Sequence, residues 1–364
     1  MNIMKAIQTG FFTHEIQLRR IDEIGDPLSA ISRTVDFESF RPMLNTLLGT
    51  PTGGVGRPPW DQVLMLRILV LQIIRGLSDE MIEFELIDSA SAQRFAGISP
   101  HDPVPDSRTI WLFRDSLSKS KHAGQATADG TSAGIDGARA LFDQFHQMLA
   151  EKGLLCREGK TVDAMILEVP RQRNSRKENE SVKNGETPGD WKTQPRKLAQ
   201  KDLEARWTRK RDVNYYGYKN SIVGGNTDNF VHDYVVAPAN SHDSQIIPGS
   251  YFKPESEISY AYGDSAYSGA PIAEKLEQAN IISHIHTKGS RDKPLSAIEV
   301  EINHLKSKVR VRIEHRFGRM KTCLHGLAIR GIGLVRNRSA VGLINLVYNM
   351  LEYSRLQSPG PTKA

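Results

Sequence analysis

Cysteine is nearly absent from this 364-residue chain. Only Cys156 and Cys323 are present, too few and too far apart for a disulfide framework or a zinc cluster. Long hydrophobic runs are missing as well. The longest candidate, Val63 to Ile74, is interrupted by Arg67 and Gln72 and is too short to cross a bilayer. Met1 to Gly10 lacks the apolar stretch of a secretory leader. These gaps predict a soluble, cytoplasmic protein without membrane association. Acid is scarce in one place above all: from Leu305 to Arg338, ten Lys or Arg residues accompany a single carboxylate, Glu314.

What the chain does have is charge, unevenly placed. Its net charge is +6, yet residues 171–211 alone hold 13 basic and 6 acidic residues, and 305–338 hold 10 and 1, leaving −10 for the remainder. Two basic blocks on an otherwise acidic chain predict a charged groove for a polyanion. Most of the second block follows an amphipathic helical pattern, with apolar Val309, Ile313, Phe317 and Met320. Glu314 within it has two readings. It bridges neighbouring bases for ~0.2–1 kcal/mol, or it holds a divalent cation that in turn meets phosphate. Spacing leaves both open.

The first 120 residues predict helices. Pro58-Pro59-Trp60-Asp61 opens one that runs to about Arg75, Gly76-Leu77-Ser78 turns the chain into a second through Ile87, and a third follows Pro105-Asp106-Ser107. Helix, short turn, helix fits a helix-turn-helix DNA reader and a plain packing bundle alike. Gly53-Gly54-Val55-Gly56 lacks a preceding strand and is expected as a flexible lead into the helix rather than a phosphate loop. A polar linker spans about 121–140. A helix over Phe142 to Lys152, a strand over Lys160 to Val169, a hairpin over Val213–Gly224 and Phe230–Ala237, a helix over Ser241 to Ser250, and strands at Ile258–Tyr262 and Ile281–Ile285 around a helix at Ala270–Ala279 complete a mixed α/β sheet. The 171–211 block is short of apolar residues and is expected as an exposed excursion; Trp191 and Trp207, in or beside it, are candidates for stacking on bases. A short tail, 356–364, is expected to be disordered.

Asp163 sits inside an otherwise apolar strand, where a carboxylate is costly unless paired or metal-bound. Asp264 follows the fourth strand, at the edge where open α/β sheets bind ligands. Asp163, Asp264 and Glu314 would together suit Mg²⁺ or Mn²⁺, and two such ions could activate an attacking oxygen and stabilise a leaving one. Gly263 and Gly269 flank Asp264, either to let a bulky backbone approach or simply to form a turn. His284 and His286 alternate on one strand without a visible third ligand, and His242-Asp243 is a helix cap or a supporting contact. His315 points off the face that carries Glu314.

Three stretches carry a resemblance. Thr161-Val-Asp163-Ala, Tyr262-Gly-Asp264-Ser-Ala-Tyr-Ser-Gly269 and Arg310-Val-Arg-Ile-Glu314-His-Arg-Phe-Gly-Arg-Met-Lys321 resemble the DDE transposases of bacterial insertion sequences, in the IS-four/IS-five-like group. The hairpin Tyr216-Gly-Tyr-Lys219 recurs in that group, and Gly56 to Leu117 looks like its helical N-terminal domain. The resemblance implies a ribonuclease-H-like mixed-sheet catalytic core over about 141–355, preceded by an α-helical DNA-binding domain over 1–120. It also implies a metal triad of Asp163, Asp264 and Glu314 holding two Mg²⁺ or Mn²⁺ ions. Arg310 and Lys321, one and two turns away on the same helix face, would hold phosphates, with Lys219 and Trp207 also on DNA. The partners implied are double-stranded DNA, as terminal inverted repeats and target, and a second copy in a homodimer, acting at the nucleoid. One position departs from the group: Ser307 stands where its signature has Tyr, which weakens any expectation of a hairpin intermediate. A non-transposing metal nuclease or resolvase on the same fold, and an inactive DNA-binding regulator, are the alternatives.

Overall fold

The computed structural model describes residues 13–50, 58–122, 135–290, 294–325, 327 and 329–357. The Gly53–Gly56 lead, most of the 121–140 linker and the tail from 358 onward lie outside the described residues. Among the described residues α-helices come first: α1 (Thr13–Ile24), α2 (Pro27–Thr34), α3 (Arg41–Leu48), α4 (Gln62–Arg75), α5 (Asp79–Asp88), α6 (Ala90–Ala96) and α7 (Ser107–Lys119). Their boundaries have ordinary chemical causes. Asp61 caps α4 by accepting from the Val63 and Leu64 amides, and Gly76, in the left-handed region at φ 65°, ends it. Ser78 and Asp106 cap α5 and α7. Then come α8 (Gly137–Glu151), β1 (Gly159–Glu168), α9 (Arg176–Lys183), α10 (Gly189–Lys192), α11 (Pro195–Leu198), β2 (Arg206–Lys210), β3 (Val213–Gly225), β4 (Val231–Pro238), β5 (Ser259–Gly263), α12 (Ala270–Gln278), β6 (Ile281–Ile285), α13 (Ala297–Cys323) and α14 (Leu334–Gln357).

The sheet runs β4-β3-β1-β5-β6, with β2 extending β3. The first three are antiparallel neighbours, whereas β1–β5 and β5–β6 are parallel. This mixed order is a ribonuclease-H-like sheet. The expected adjacency of the first and fourth strands holds, with Thr161 opposite Tyr262. Strand alternation sorts side chains onto two faces. Val162 faces α12 in a small core with Ala261, Ile272, Leu276 and Ile281. Asp163 shares the other face with Met165 and Leu167, which join a larger core.

That larger core runs without interruption from Leu28 to Tyr353. The helix α14 packs against α2, α4, α7, α8 and β4, so the N-terminal helices and the sheet are bound into one apolar mass. Asn345 pairs with Asn220 of β3 at 3.0 Å, and Asn349 bonds both backbone groups of Val231. Two buried amides thus fix α14 on the sheet with their polar groups satisfied.

Four expectations change. The 171–211 block is folded: Trp191, 0% exposed, donates its indole N–H to Glu178 at 2.6 Å, and Lys201 lies 4.9 Å from the ring centre. A buried aromatic, the Ser175–Glu178 capping box of α9 and ion pairs organise α9–α11 where composition promised little. No α-helix spans 241–250, because Pro248 divides the segment into two short 3-10 turns. The basic run 305–338 is two helices separated at 324–333. Finally, α5 carries Asp79, Glu80, Glu83, Glu85 and Asp88 and no base, a charge that phosphates would repel. Its partner α4 is almost wholly buried, so this helix pair is packed into the core through α4.

Replacing Trp191 with Ala should unfold the excursion locally, at about 3–5 kcal/mol for a buried Trp. Limited proteolysis would then nick residues 171–205 in the variant while the main thermal transition persists. Unchanged resistance to protease would contradict this role for Trp191.

Candidate active site

The sheet places Asp163 in mid-strand on β1 and Asp264 one residue beyond the end of β5. Each carboxylate accepts a local amide, Ala164 N–H for Asp163 and Ala266 N–H for Asp264, both at 2.8 Å. In Asp264 this bond caps the turn Ser265–Tyr267. Gly263 faces the Tyr267 ring, which a Cβ there would meet at 3.2 Å, so this glycine serves the turn. Lying across the sheet, α13 brings Arg310 to Asp163 (3.6 Å) and, on the same helix, to Glu314 (2.7 Å). The guanidinium therefore spans two of the three expected carboxylates. Its Nε–H is buried without a partner among the described residues.

The electrostatics identify Asp163 as the stressed group. Burial pushes its carboxyl up to about 6, the neighbouring Asp264 charge adds to the rise, and the Ala164 amide and Arg310 oppose it. Glu314 differs in kind, with its side chain 49% exposed against 19% for Asp163. Among the described residues, no three acidic, His or Cys side chains are gathered as a ready metal cage. The donor set nevertheless suits a hard divalent cation. Asp264 is a carboxylate close enough to raise the proton affinity of Asp163, and a cation between the two would relieve that repulsion.

The helix is held in place by a residue that sequence reasoning counted only as one more base. Arg316 is 0% exposed and donates to the carbonyls of Gly225 and Asp228, with the Asp228 carboxylate at 3.8 Å. Gly224 makes room for it, since a Cβ there would lie 2.7 Å from the guanidinium carbon. Asp228 also meets His232 and the Cys156 amide. The spacing Ile313–Arg316–Met320 on one helix face was the available signal.

Other expected residues are placed as follows. Lys321 is exposed near the end of α13. Lys219 is committed within the fold to Asp243 (2.7 Å) and the Ser241 carbonyl. Trp207, 48% exposed, sits on β2 with its ring 5.2 Å from Tyr216 and Arg171 over its face. His284 stacks on Tyr262. His286 lies beyond β6, its Nε2 3.4 Å from Ser307. His242 caps the first 3-10 turn through Ser244, as the cap reading expects. His315 is exposed.

The sequence matches two family profiles, "Transposase domain (DUF772)" over residues 16–116 and "Transposase DDE domain" over residues 155–350, the latter more than half of the chain. Among solved structures the chain is similar to a piggyBac transposase synaptic complex with hairpin DNA. There the TM-score is 0.40 at 12% identity, over 93% of this chain and 76% of that one. It is also similar to a Mos1 transposase paired-end complex with left transposon end, with a TM-score of 0.19 at 10% identity, over 76% and 81%.

The Asp163 carboxyl yields a prediction. Its folded-state pKa lies above the ordinary 3.8, so its favourable contribution is complete below the unfolded value and is lost as pH rises to about 6. Asp163→Asn cannot ionise. Without divalent ions, the variant should gain on wild type between about pH 4 and pH 6 and stay ahead above that, by about 2–3 kcal/mol. Thermal melts across this range decide it, and a constant difference would show that Asp163 is not stressed.

Proposed function

The chain belongs to the DDE transposase family, a DNA-cleaving and strand-transferring enzyme class, and on that premise we propose that it acts at the terminal inverted repeats of an insertion sequence in the IS-four/IS-five-like group. In this reading Asp163, Asp264 and Glu314 hold one or two divalent ions, Mg²⁺ or Mn²⁺, and a second copy of the chain completes the active complex. The observation that supports the reading is that Asp163 feels the charge of Asp264 and meets Arg310, which in turn pairs with Glu314, near the end of the central parallel strands. Ligands bind at that edge in open α/β sheets.

The bound ions would supply charge to polarise the scissile phosphodiester and lower the proton affinity of the attacking water or 3′-hydroxyl. The chain's own residues do the rest. Arg310 presents a guanidinium for a phosphate oxygen beside Asp163. Lys321 adds a mobile positive charge further along the same helix, and Arg316 holds that helix in register. Lys219 keeps the loop at Asp243 in place rather than touching DNA. Trp207, braced by Tyr216 and Arg171, offers an aromatic face to an unpaired base. The likeness of Arg310, Glu314 and Lys321 to the group's signature supports the assignment, and Ser307 makes a hairpin route the less supported one.

Glu314→Gln keeps shape and removes the one acid from the basic run 305–338. Metal-dependent cleavage of duplexes bearing the element's ends should collapse, since metal stabilisation of the transition state is worth several kcal/mol. Metal-free DNA binding should hold or tighten. Cleavage near the wild-type level would return Glu314 to the role of an ion-pair partner for Arg310. In wild type, cleavage without joining to target DNA would favour a nuclease or resolvase instead. Trp207→Ala should weaken binding to single-stranded ends by about 1–3 kcal/mol and leave intact duplex binding unchanged; equal losses on both substrates would remove the stacking role.

A further inference from the structure

A cavity of about 320 Å³ lies among α1, α2, α4 and α6, far along the chain from the acidic centre, and arginines dominate its polar lining. Their charges are not equally spent. Arg94 is saturated, bonding both Asp22 oxygens at 2.8 and 2.9 Å, Asp26 at 2.8 Å and the Ser29 hydroxyl. The other two are not. Arg67 gives one bond to the Phe95 carbonyl at 3.0 Å and rests 4.4 Å above the Phe37 ring. Neither Arg67 nor Arg33 has a carboxylate within ion-pair distance among the described residues. Beside them the Ser32 hydroxyl oxygen is buried with no hydrogen-bond partner.

A half-buried guanidinium without a direct ion pair, next to an orphaned hydroxyl, is a costly arrangement unless a ligand completes it. Asp36 and Glu38 act on Arg67 from beyond ion-pair distance, and Glu38 is itself paired with Arg41. Within the cavity wall three arginines face two aspartates, both held by Arg94, so the open donors of Arg67 and Arg33 favour an anion. Arg67 and Arg33 come from different helices and Ser32 adds a third donor direction. A carboxylate offers two oxygens to such a set, whereas a phosphate offers three or four and suits the planar donor fork of arginine. Burial pushes the Arg67 guanidinium down from its ordinary value, and a bound dianion or phosphodiester would reverse that.

We propose that this cavity binds a phosphate group through Arg67, Arg33 and Ser32. The phosphate is either a backbone phosphodiester of DNA or a free phosphate species. The DNA source rests on the function proposed above, while the free-phosphate source does not. A DNA phosphate here would give the N-terminal helices the polyanion contact that acidic α5 denies them.

The test uses the full-length protein and never reads cleavage, so it can fail while the carboxylate centre stands. Inorganic phosphate is titrated at constant ionic strength against chloride, and thermal stability is followed. Wild type should show a saturable rise in Tm that Arg67→Gln abolishes and Arg33→Gln weakens. Arg33 is exposed, so its variant keeps the test valid if Arg67→Gln folds poorly. In parallel, the salt dependence of duplex binding is measured. A slope reduced by ~0.9 in either variant assigns the site to DNA backbone, and an unchanged slope with a retained phosphate response in wild type assigns it to free phosphate. If wild type shows neither a phosphate response nor a slope that the variants alter, or if the variants respond to phosphate as wild type does, the proposal is wrong.

Discussion

A carboxylate fixed in the middle of a central β-strand demands a cation, and much of this molecule is arranged around that demand. Asp163 is held in place by the β1–β3 ladder, opposite Ile222, just past the point where β1 stops pairing with β5. Its neighbour across the parallel pair leads into Asp264, which worsens the problem instead of solving it. The answer on the protein's side is Arg310, delivered by α13. That helix is in turn locked to the β3–β4 turn by Arg316, whose Nη2 donates to two backbone carbonyls in a gap that Gly224 leaves open, while its Nε and Nη1 are buried without a hydrogen-bond partner among the described residues. A buried arginine with only one of its three guanidinium nitrogens hydrogen-bonded is costly for stability. It fits a helix whose position matters to within a fraction of an ångström.

How the basic residues are used changes the picture of DNA affinity. Of the ten in 305–338, Arg316 is interior, Arg319 serves Glu352, Arg336 serves Asp115, and Lys306 and Arg312 bond backbone carbonyls. Lys308, Lys321 and Arg330 remain exposed. Net charge therefore overstates the phosphate contacts this segment makes directly. The acidic helix α5 shows the converse, since its Met81, Phe84 and Ile87 are also exposed, giving the N-terminal helices one face that is both apolar and negative.

Much of this was legible in the chain. The helix caps at Asp61, Ser78 and Asp106 marked three helices, and strand alternation around Asp163 and the glycine after β5 marked the central pair. The pairing of Arg310 with Glu314 follows from a four-residue spacing. Other features depend on contacts distant in sequence. The order in 171–211 comes from Trp191 meeting Glu178 and Lys201, which composition cannot reveal. The charge of Lys219 is taken up by Asp243, 24 residues away. The role of Arg316 depends on where a hairpin turn folds back, and the N-terminal helices share their core with α14, more than 200 residues on.

The central claim is that Asp163 and Asp264 form a divalent-cation site, and direct metal binding tests it without reliance on turnover. Mn²⁺ should be titrated into the full-length protein near pH 7 and followed by the loss of the free-ion paramagnetic signal. Wild type should bind saturably, and Asp163→Asn and Asp264→Asn should each lose that binding while retaining the wild-type fold. Equal Mn²⁺ uptake by wild type and both variants would place the metal elsewhere and contradict the account.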